Sequence, residues 1–439
     1  MALVQDEINK ITQEKINVTV NFLPIGFGDW QQQTNLMFSS GEKLDLLPTV
    51  WNYSSLVSKG QFIPMDDLLS KYGQGIIEAV DPAYLEAAKV NGVTYAVPTL
   101  RDMASSFGIA MREDLIDKYK IDVSQIKRFE DIEGVLKTVQ AGEPDISPLI
   151  TGVGSSILNQ YQPYDTLGDS MGVLPNYDND LKVVNLYESE EYAKQLRTVR
   201  KWYKEGLILK DVATNKTPQS EWIRTNKAFA YLLRVQPQTL AGETQLNGQP
   251  MEVVTYTEPV AMTSTITNVM WGIPSNSKVP EKAMEFLNLM YSDKDIVNLL
   301  IWGIEGKHYV VKSDNVIDFP EGVDGQTSGY FLNMGWLFGN QFLSYVWNGQ
   351  DPDIWEKMKE FNKSAIKSKA LGFSFDSTPV KTEVASVGNV ISQYGIPLET
   401  GSVDPEKVLP EFIKKLETAG IDRILAEKQK QLDEWAQKK

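Results

Sequence analysis

The chain has 439 residues, of which 42% are hydrophobic and 23% charged, with no cysteine, one histidine and a formal net charge of −15. This length exceeds what one hydrophobic core usually serves, so two lobes are expected, and the acidity argues against nucleic-acid binding, which needs a basic face. The missing cysteines exclude disulfides, thiolate metal sites and cysteine nucleophiles, and no segment approaches the ~20 apolar residues of a membrane span.

The first part of the chain predicts helices and a strand in alternation. Val4, Ile8 and Ile11 form one apolar stripe, which predicts an opening helix. Residues 18–22 alternate between apolar and polar side chains, as a short strand does. Asp29 can then cap the helix that follows it.

The rest of the chain continues this pattern. Helices are predicted over 129–141 and 188–205, and the continuous apolar run 228–233 predicts a strand covered on both faces. Pro280 starts a further helix, and two helices separated by Gly420 end the chain. The alternation is typical of an α/β protein.

Three motifs stand in a fixed order near the start of the chain. Residues 41–51 read as a turn, a short apolar strand and a tryptophan at the end of that strand. Residues 59–69 begin the next element, and residues 90–98 place a two-residue turn before a second short strand. This succession resembles the sugar-binding class (family 1 type) of extracellular solute-binding proteins, the receptors that feed ABC importers. Val93 departs from it, because that class usually has lysine there.

Later motifs extend the resemblance over nearly the whole chain. Residues 269–277 and 280–287 look like the return of such a chain to its first lobe. Narrower motifs look like a subgroup of Gram-positive lipoproteins with a C-terminal domain of formerly unknown function, and they occupy residues 304–309, 371–375, 419–422 and 427–435.

The resemblance implies a two-lobed, periplasmic-binding-protein-like fold of type II, whose hinge the chain crosses about three times. We expect lobe one at 1–110 and 262–312 and lobe two at 111–261 and 313–439, with the first crossing near 106–111. The class binds its ligand in the cleft between the lobes, at the carboxyl ends of the strands. Because the ligand contacts both lobes, its binding favours the closed state.

The resemblance also implies a function. We expect an extracellular receptor that captures a carbohydrate, an oligosaccharide, and delivers it to the permease subunits of an ABC transporter. The protein is expected to be a monomer without cofactor, metal or nucleic acid, attached to the membrane only by a lipid anchor at the cell surface. Gln5, Asp6 and Glu7 stand where a signal peptide would be apolar, so the signal peptide, lipidated cysteine and first strand of such proteins are expected to lie outside this chain.

Aromatic side chains are the expected sugar platforms, because a pyranose presents C–H groups to a ring and hydroxyls to polar groups at its rim. Trp51 leads, since it follows the end of a strand, and Trp336 with Asn340 forms a loop-like aromatic and polar pair. Trp222 completes the expected set. The remaining pool is Trp302, Trp347 and Trp271, the last of which, like Trp435, has the position of a structural residue; a core position is the alternative for every tryptophan.

Charged residues supply the other candidates. Arg101 and Asp102 follow an apolar strand and a proline, and Arg234 ends the apolar run 228–233, so all three are predicted to contact ligand. The alternative for Arg101 and Asp102 is an ion pair that braces the hinge. If Arg101 and Arg234 both face the ligand, an acidic sugar is indicated, because guanidinium grips carboxylate at two points.

Other chemistries have weaker support. His308 has no partner histidine and is predicted to be structural, and residues 178–180 lack the downstream glycine and glutamate of a calcium loop and are read as a solvated turn. The alternatives to a receptor are a glycoside hydrolase, which also combines aromatic and acidic residues, and a surface glycan- or peptide-binding protein. The chain has no G-x-S-x-G, H-E-x-x-H, Walker A or G-x-G-x-x-G motif, so we expect no enzyme.

Overall fold

The computed structural model describes residues 1–26 and 28–438. Its α-helices are, in chain order, α1 (Ala2–Ile16), α2 (Trp30–Ser40), α3 (Tyr53–Ser58), α4 (Asp66–Tyr72), α5 (Gln74–Ala79), α6 (Pro82–Ala87), α7 (Glu113–Tyr119), α8 (Ile132–Gly142), α9 (Glu190–Lys204), α10 (Gln219–Arg224), α11 (Thr239–Asn247), α12 (Thr263–Thr267), α13 (Pro280–Ser292), α14 (Lys294–Trp302), α15 (Ile354–Ser364), α16 (Lys381–Glu399), α17 (Pro405–Ala419) and α18 (Ile421–Gln437).

The strands are short and fall into several small sheets. In chain order they are β1 (Leu47–Val50), β2 (Ala96–Pro98), β3 (Ser106–Arg112), β4 (Ser147–Ile150), β5 (Tyr164–Asp165), β6 (Leu174–Pro175), β7 (Ala228–Val235), β8 (Met251–Thr255), β9 (Val260–Ala261), β10 (Val269–Gly272), β11 (Val310–Ser313), β12 (Val316–Asp318), β13 (Val346–Trp347) and β14 (Ile366–Lys367).

The chain divides into two compact units. Unit one contains Met1–Met103 and Thr263–Glu360, and unit two contains Ala104–Met262 and Phe361–Lys439. The chain therefore passes from one unit to the other three times. The first passage follows Met103, because β3, where the crossing was predicted, lies wholly within the sheet of unit two.

Unit one is built on the sheet β1-β10-β2. Both outer strands run antiparallel to β10, with Val50 opposite Val269 and Pro98 opposite Met270. The two outer strands are therefore parallel to each other, and their carboxyl ends meet at one edge of the sheet. A second sheet, β11-β12-β13, belongs to the same unit.

The segment 313–360 differs from the sequence prediction, which places it in lobe two. It packs with unit one because the N–H of Leu100 donates to the carbonyl oxygen of Gly339 at 2.7 Å. Trp302 at the end of α14 also packs against Phe331 and Trp347, with ring centroids 6.0 and 5.2 Å away. An aromatic core thus joins this segment to the preceding helix.

Unit two is built on the sheet β4-β7-β3-β8, in which β7 runs parallel to β4 and antiparallel to β3. Leu232 belongs to the core cluster on one face of the sheet and Leu233 to the cluster on the other face. The prediction that the run 228–233 is covered on both faces is confirmed. Phe412 and Ile424 of the C-terminal helices lie in the first cluster, so those helices share the core of unit two.

The predicted helices are confirmed, although the side chain of Asp29 makes no capping bond to α2, and one strand prediction is wrong. Helices α1, α8, α9, α13, α17 and α18 cover the predicted positions. Residues 18–22 form no strand, because their backbone groups bond to side chains of α1 instead. The N–H of Val20 donates to Oδ1 of Asn9 at 2.6 Å, and the N–H of Phe22 donates to Oε1 of Gln5 at 2.8 Å.

Candidate ligand-binding surfaces

The candidate surface of unit one lies at the edge where β1 and β2 end. Trp51 follows the last residue of β1, and residues 99–102 follow β2. Leu100 pairs with Asn340 in a parallel bridge, which brings the 336–340 segment to the same edge. Five of the predicted ligand residues therefore belong to one part of unit one: Trp51, Arg101, Asp102, Trp336 and Asn340.

Trp51 presents its indole to solvent. Its side chain is 75% exposed and its backbone has φ 58°, a left-handed conformation. The backbone is held there by β10, since the N–H of Trp51 donates to the carbonyl oxygen of Asn268 at 2.9 Å. A large side chain at positive φ costs about 1–2 kcal/mol. Strain of this kind combined with an exposed aromatic ring is typical of a binding position.

Arg101 is buried and makes its hydrogen bonds within unit one. Its guanidinium donates to the carbonyl oxygen of Thr265 at 2.7 Å and to the carbonyl oxygen of Asp102 at 2.6 Å, and it lies 3.3 Å from Oδ1 of Asp102. Only 6% of the residue is exposed. These contacts let Arg101 position the loop after β2, whereas the alternative of an ion pair that braces the hinge stays a prediction.

Asn340 is likewise engaged by its own unit, whereas Trp336 is half-buried. The side-chain amide of Asn340 donates to the carbonyl oxygen of Tyr291 at 3.2 Å, and its Oδ1 accepts from the N–H of Phe342 at 3.1 Å. The carbonyl oxygen of Trp336 accepts from Oγ1 of Thr99 at 2.9 Å. Asn340 therefore fixes the loop, and Trp336 is the less buried residue of the pair.

The candidate surface of unit two lies at the edge where β4 and β7 end. Because these strands are parallel, Ile150 and Val235 bring the segments that follow them to one side of the sheet. Arg234 is exposed there, and its guanidinium donates to Oε1 of Gln162 at 3.2 Å. Its Cζ lies 5.8 Å from the ring centroid of Phe107, so a cation–π contact holds the side chain in place.

Sequence reasoning missed several polar and aromatic residues of this edge. Gln160, Tyr161 and Gln162 follow β4, and Gln236 follows β7; all four are half-buried. Tyr161 stacks on Phe129 with ring centroids 4.6 Å apart and planes 5° apart. Glutamine amides donate and accept hydrogen bonds at once, which suits sugar hydroxyls. The available signal was the alternation Gln-Tyr-Gln at 160–162, within the irregular segment that follows β4.

A small polar cavity of about 90 Å³ lies beside this edge. It is smaller than the roughly 300 Å³ at which ligand pockets usually begin, so it can take only part of a ligand. Its lining is Ile150, Thr151, Gly152, Ser155, Ser156, Ile157, Gln160, Gln219 and Leu232.

Trp222 is not brought together with Arg234. It packs against the core cluster that contains Tyr231 and Leu233, on the sheet face opposite Leu232. Its Nε1 donates to Oδ1 of Asn215 at 3.3 Å. The contacts of Trp222 are those of a structural residue.

The other tryptophans considered make structural contacts: Trp302 is buried, and Trp271, Trp347 and Trp435 are half-buried. Nε1 of Trp271 donates to the carbonyl oxygen of Leu337 at 2.6 Å, as its strand position predicted. Trp347 packs against Phe319 with ring centroids 4.5 Å apart. Trp435 packs near Phe373, with ring centroids 6.1 Å apart.

The remaining candidates serve structural contacts. His308 is buried, and its Nδ1 accepts from the N–H of Ile304 at 2.8 Å, which confirms its structural role. Nζ of Lys369 lies 2.9 Å from Asp178 and 3.1 Å from Asp180. Among residues 1–26 and 28–438, no three His, Asp or Glu side chains are placed to hold a metal ion, and no helix is long and apolar enough to cross a membrane.

A larger groove of about 600 Å³ lies between the end of α9 and the start of α17. Three of its four basic side chains make contacts within unit two. Arg200 donates to the carbonyl oxygen of Gly401 at 2.8 Å, Lys201 lies 2.5 Å from Glu133, and Arg197 pairs with Glu190. The groove therefore offers few free charges to an anion.

The chain is similar to bacterial proteins of known class. The family model described as bacterial extracellular solute-binding protein matches residues 1–296, and the model of a domain of unknown function (DUF3502) matches residues 369–437. A carbohydrate ABC transporter substrate-binding protein of Streptococcus pneumoniae serotype 4 is 32% identical over 98% of this chain and 87% of its own length.

Solved structures show the same similarity. The crystal structure of the N-glycan transport solute-binding protein NgtS from Streptococcus pneumoniae has 30% identity and a TM-score of 0.87, and covers 98% of this chain and 95% of its own. The complex of NgtS with Man5GlcNAc has a TM-score of 0.72, with 99% and 95% coverage of the two chains. The fold is that of the two-lobed solute-binding proteins, as the sequence predicted.

Proposed function

Because the chain belongs to the family of bacterial extracellular solute-binding proteins, we propose that it captures an oligosaccharide and delivers it to the permease subunits of an ABC transporter. The observation that carries the proposal is Trp51, an indole 75% exposed on a strained backbone at the carboxyl edge of the sheet of unit one. Trp51 therefore buries little area against the described residues of unit one. We propose that a sugar ring of the ligand stacks on this exposed indole.

Unit two carries a candidate surface of its own. Arg234 and Gln162 are joined at 3.2 Å, and Gln160, Tyr161 and Gln236 lie on the segments beside them. Amide and guanidinium groups match the hydroxyls around a sugar ring, with charged donors giving the stronger bonds. We propose that Trp51, Arg234 and Trp336 contact the ligand and that Arg101, Asp102 and Asn340 position the surface of unit one, whereas Trp222 serves the core of unit two.

The proposed ligand is a neutral oligosaccharide. The sequence argument for an acidic sugar requires both Arg101 and Arg234 to face it, and the guanidinium of Arg101 is committed to Thr265 and Asp102. One exposed arginine can grip a single carboxylate at two points, whereas an acidic oligosaccharide carries a carboxylate on many of its rings. The relative NgtS was solved with Man1GlcNAc and Man5GlcNAc, which makes mannose-containing N-glycan fragments the first ligands to test.

The proposed setting follows from the family. We propose a monomeric receptor at the outer surface of the cell, attached through a lipid anchor and working with an ABC transporter. Its relative from Streptococcus pneumoniae is a carbohydrate ABC transporter substrate-binding protein, and this supports the partnership. Stimulation of the ATPase activity of the reconstituted cognate transporter by the sugar-loaded protein, but not by the sugar-free protein, would test it.

Calorimetric titration with Man1GlcNAc, Man5GlcNAc and a galacturonic acid oligomer tests the ligand. We expect micromolar or tighter binding of at least one mannose-containing sugar and no binding of the acidic oligomer. Binding of the acidic oligomer alone would contradict the neutral-sugar proposal. Reducing-end release during a long incubation would identify a glycoside hydrolase, and binding of peptides instead of sugars would identify a peptide receptor.

A further inference from the structure

The long segment between β4 and α9 has little regular structure of its own. Residues 151–185 contain only the two-residue strands β5 and β6 and single turns of 3₁₀-helix. Structureless connections this long are uncommon in compact domains and are usually functional. This segment carries Gln160, Tyr161 and Gln162, which lie on the candidate surface of unit two.

The backbone of this segment is strained. Among the described residues, fourteen non-glycine residues have positive φ, and seven of them lie in it: Leu167, Ser170, Asn176, Tyr177, Asn179, Asp180 and Leu181. Non-glycine residues in the left-handed region cost about 1–3 kcal/mol each and persist only where surrounding structure fixes them. The segment therefore needs an external support.

The first support is Glu399 at the end of α16, inside the C-terminal domain of unknown function (369–437). Its carboxylate accepts from Oγ of Ser156 at 2.5 Å and from the hydroxyl of Tyr192 at 3.0 Å. Oγ of Ser156 also accepts from the N–H of Asn159 at 3.1 Å. Glu399 thus fixes the turn that leads directly into Gln160.

The second support is the face of α18. Lys428 is fully buried; its Nζ pairs with Asp169 and donates to the carbonyl oxygen of Gly172 at 3.3 Å. Gln429 accepts from the N–H of Val183 at 2.7 Å and donates to the carbonyl oxygen of Leu181 at 3.0 Å. These bonds hold the strained stretch at both of its ends.

A third support connects the domain to the ligand surface itself. The N–H of Lys369 donates to the carbonyl oxygen of Tyr177 at 2.8 Å. The hydroxyl of Tyr177 in turn donates to the carbonyl oxygen of Gln162 at 2.7 Å, and the side chain of Gln162 accepts from Arg234. Tyr177 and Gln162 therefore connect the C-terminal domain to Arg234 through three hydrogen bonds, with the two residues themselves as links.

We propose that the C-terminal domain is a brace that holds residues 151–185 in their strained, ligand-competent conformation, with Glu399 as its principal positioning residue. The link to ligand affinity rests on the proposed function, whereas the bracing of the segment does not. This gives the C-terminal domain (369–437) a structural role in positioning the candidate surface of unit two. Glu399 is a positioning residue, because it acts through Ser156 and not on the ligand.

Hydrogen–deuterium exchange of the full chain tests the brace without a ligand. Glu399→Ala should raise amide exchange in peptides from 151–185 by about tenfold or more, because the hydrogen bonds from Ser156 and Tyr192 to the Glu399 carboxyl group are lost. Glu399→Gln, which keeps one carbonyl acceptor, should recover most of the protection. The matched control is Glu411→Ala, which removes a carboxylate that accepts from Tyr394 at 2.6 Å inside the domain itself; it should leave 151–185 unchanged.

A second variant covers the case in which Glu399→Ala does not fold. Gln429→Ala removes two bonds to the backbone at Leu181 and Val183 from a half-buried position, and should raise exchange at that end of the segment. Unchanged exchange in 151–185 for the folded variants would overturn the brace. An equal rise throughout unit two would also overturn it, because that marks general loss of stability.

Titration with Man5GlcNAc then connects the brace to binding. We expect the affinity of Glu399→Ala to fall by about tenfold, in step with the loss of protection, and that of Glu411→Ala to match the wild type. Wild-type affinity in Glu399→Ala despite faster exchange would overturn the ligand-positioning part. If the wild type binds no sugar while exchange still rises locally, the proposed function fails and the brace stands.

Discussion

The backbone N–H of Leu100 donates to the carbonyl oxygen of Gly339 at 2.7 Å, and the N–H of Gln341 donates to the carbonyl oxygen of Leu100 at 3.0 Å. This pairing extends the edge after β2 with the segment that carries Trp336. Gly339 has φ +49°, and a Cβ on it would lie 2.1 Å from the carbonyl oxygen of Met290. Glycine is therefore required for both conformation and space.

Gly339→Ala should lower the free energy of unfolding by about 2–5 kcal/mol, the sum of left-handed strain and forced overpacking. Gly349→Ala is the matched control, because Gly349 has φ +89° and no atom within 4 Å of the position of its Cβ. It should lose about 1–2 kcal/mol from strain alone. Urea unfolding of both variants measures the difference, and equal losses would contradict the close approach at Met290.

Local sequence patterns predicted the elements whose burial is decided locally. The stripe of α9 and the apolar run of β7 gave the correct element types because their periodicity reflects one or two buried faces. The pattern at 18–22 failed, since side chains of Asn9 and Gln5 supply the hydrogen bonds that a neighbouring strand would provide. The alternation of apolar and polar residues does not show whether the backbone bonds to a neighbouring strand or to side chains of a helix.

Long-range pairing limited the prediction of the unit boundaries. Residues 313–360 join unit one through Leu100 and through the ring packing of Trp302 against Trp347. The guanidinium of Arg101 donates to the carbonyl oxygen of Thr265, which lies far along the chain. A strand end predicted where Trp51 would lie, whereas the burial of Arg101 depends on this distant contact. The sequence therefore indicated where Trp51 and Arg101 lie in the fold, but it could not indicate which hydrogen bonds the side chain of Arg101 makes.

Arg101 and Arg234 should respond differently to substitution. Arg101→Met should lower the free energy of unfolding by about 2–4 kcal/mol, because it leaves the buried carbonyl oxygen of Thr265 without its charged donor. Arg234→Met should change stability by less than about 1 kcal/mol, as expected for an exposed side chain.

The sugar affinity of the same two variants completes this test. Arg234→Met should weaken oligosaccharide binding by about 1.5–3 kcal/mol, the usual range for a charged hydrogen bond. Denaturant unfolding and calorimetric titration of each variant separate the two roles. A stable Arg101→Met protein that no longer binds sugar would return Arg101 to the set of ligand contacts.

Glu133 should make unit two sensitive to acid. Burial opposes its charge, but hydrogen bonds from Lys137, Lys201 and Trp202 outweigh this and lower the pKa of Glu133 to about 2, from an ordinary value of 4.5. Nε1 of the buried Trp202 lies 2.9 Å from Oε2 of Glu133. A carboxyl group with a lowered pKa contributes stability that is complete above the unfolded-state pKa. This contribution is therefore lost as the pH falls from about 4.5 to about 2.

Glu133→Gln should accordingly be less stable than the wild type at pH 7, and the difference should shrink as the pH falls below 4.5. Urea unfolding at pH 7, 4 and 3 measures the trend. Glu190→Gln is the control, because this carboxylate is 84% exposed in its pair with Arg197 and such pairs contribute about 0–1 kcal/mol. A difference that stays constant with pH would show that the charge of Glu133 does not stabilise the fold.

Trp51 gives the sharpest separation between binding and stability. Trp51→Ala and Trp51→Gly both remove an indole that is 75% exposed, so each should weaken oligosaccharide binding by about 1–3 kcal/mol. Trp51→Gly should keep the unfolding free energy within about 1 kcal/mol of the wild type, because glycine adopts φ 58° without strain and this offsets the lost contacts.

Trp271→Ala is the matched control for Trp51, since this indole lies in β10 of the same sheet and donates to Leu337 at 2.6 Å. It should lower the free energy of unfolding by at least about 2 kcal/mol through lost packing and an unpaired carbonyl. Calorimetric titration and urea unfolding of the three variants give both quantities for each residue. If Trp51→Gly binds the oligosaccharide as tightly as the wild type, the exposed indole does not contact the ligand. The main observation behind the proposed function would then be contradicted.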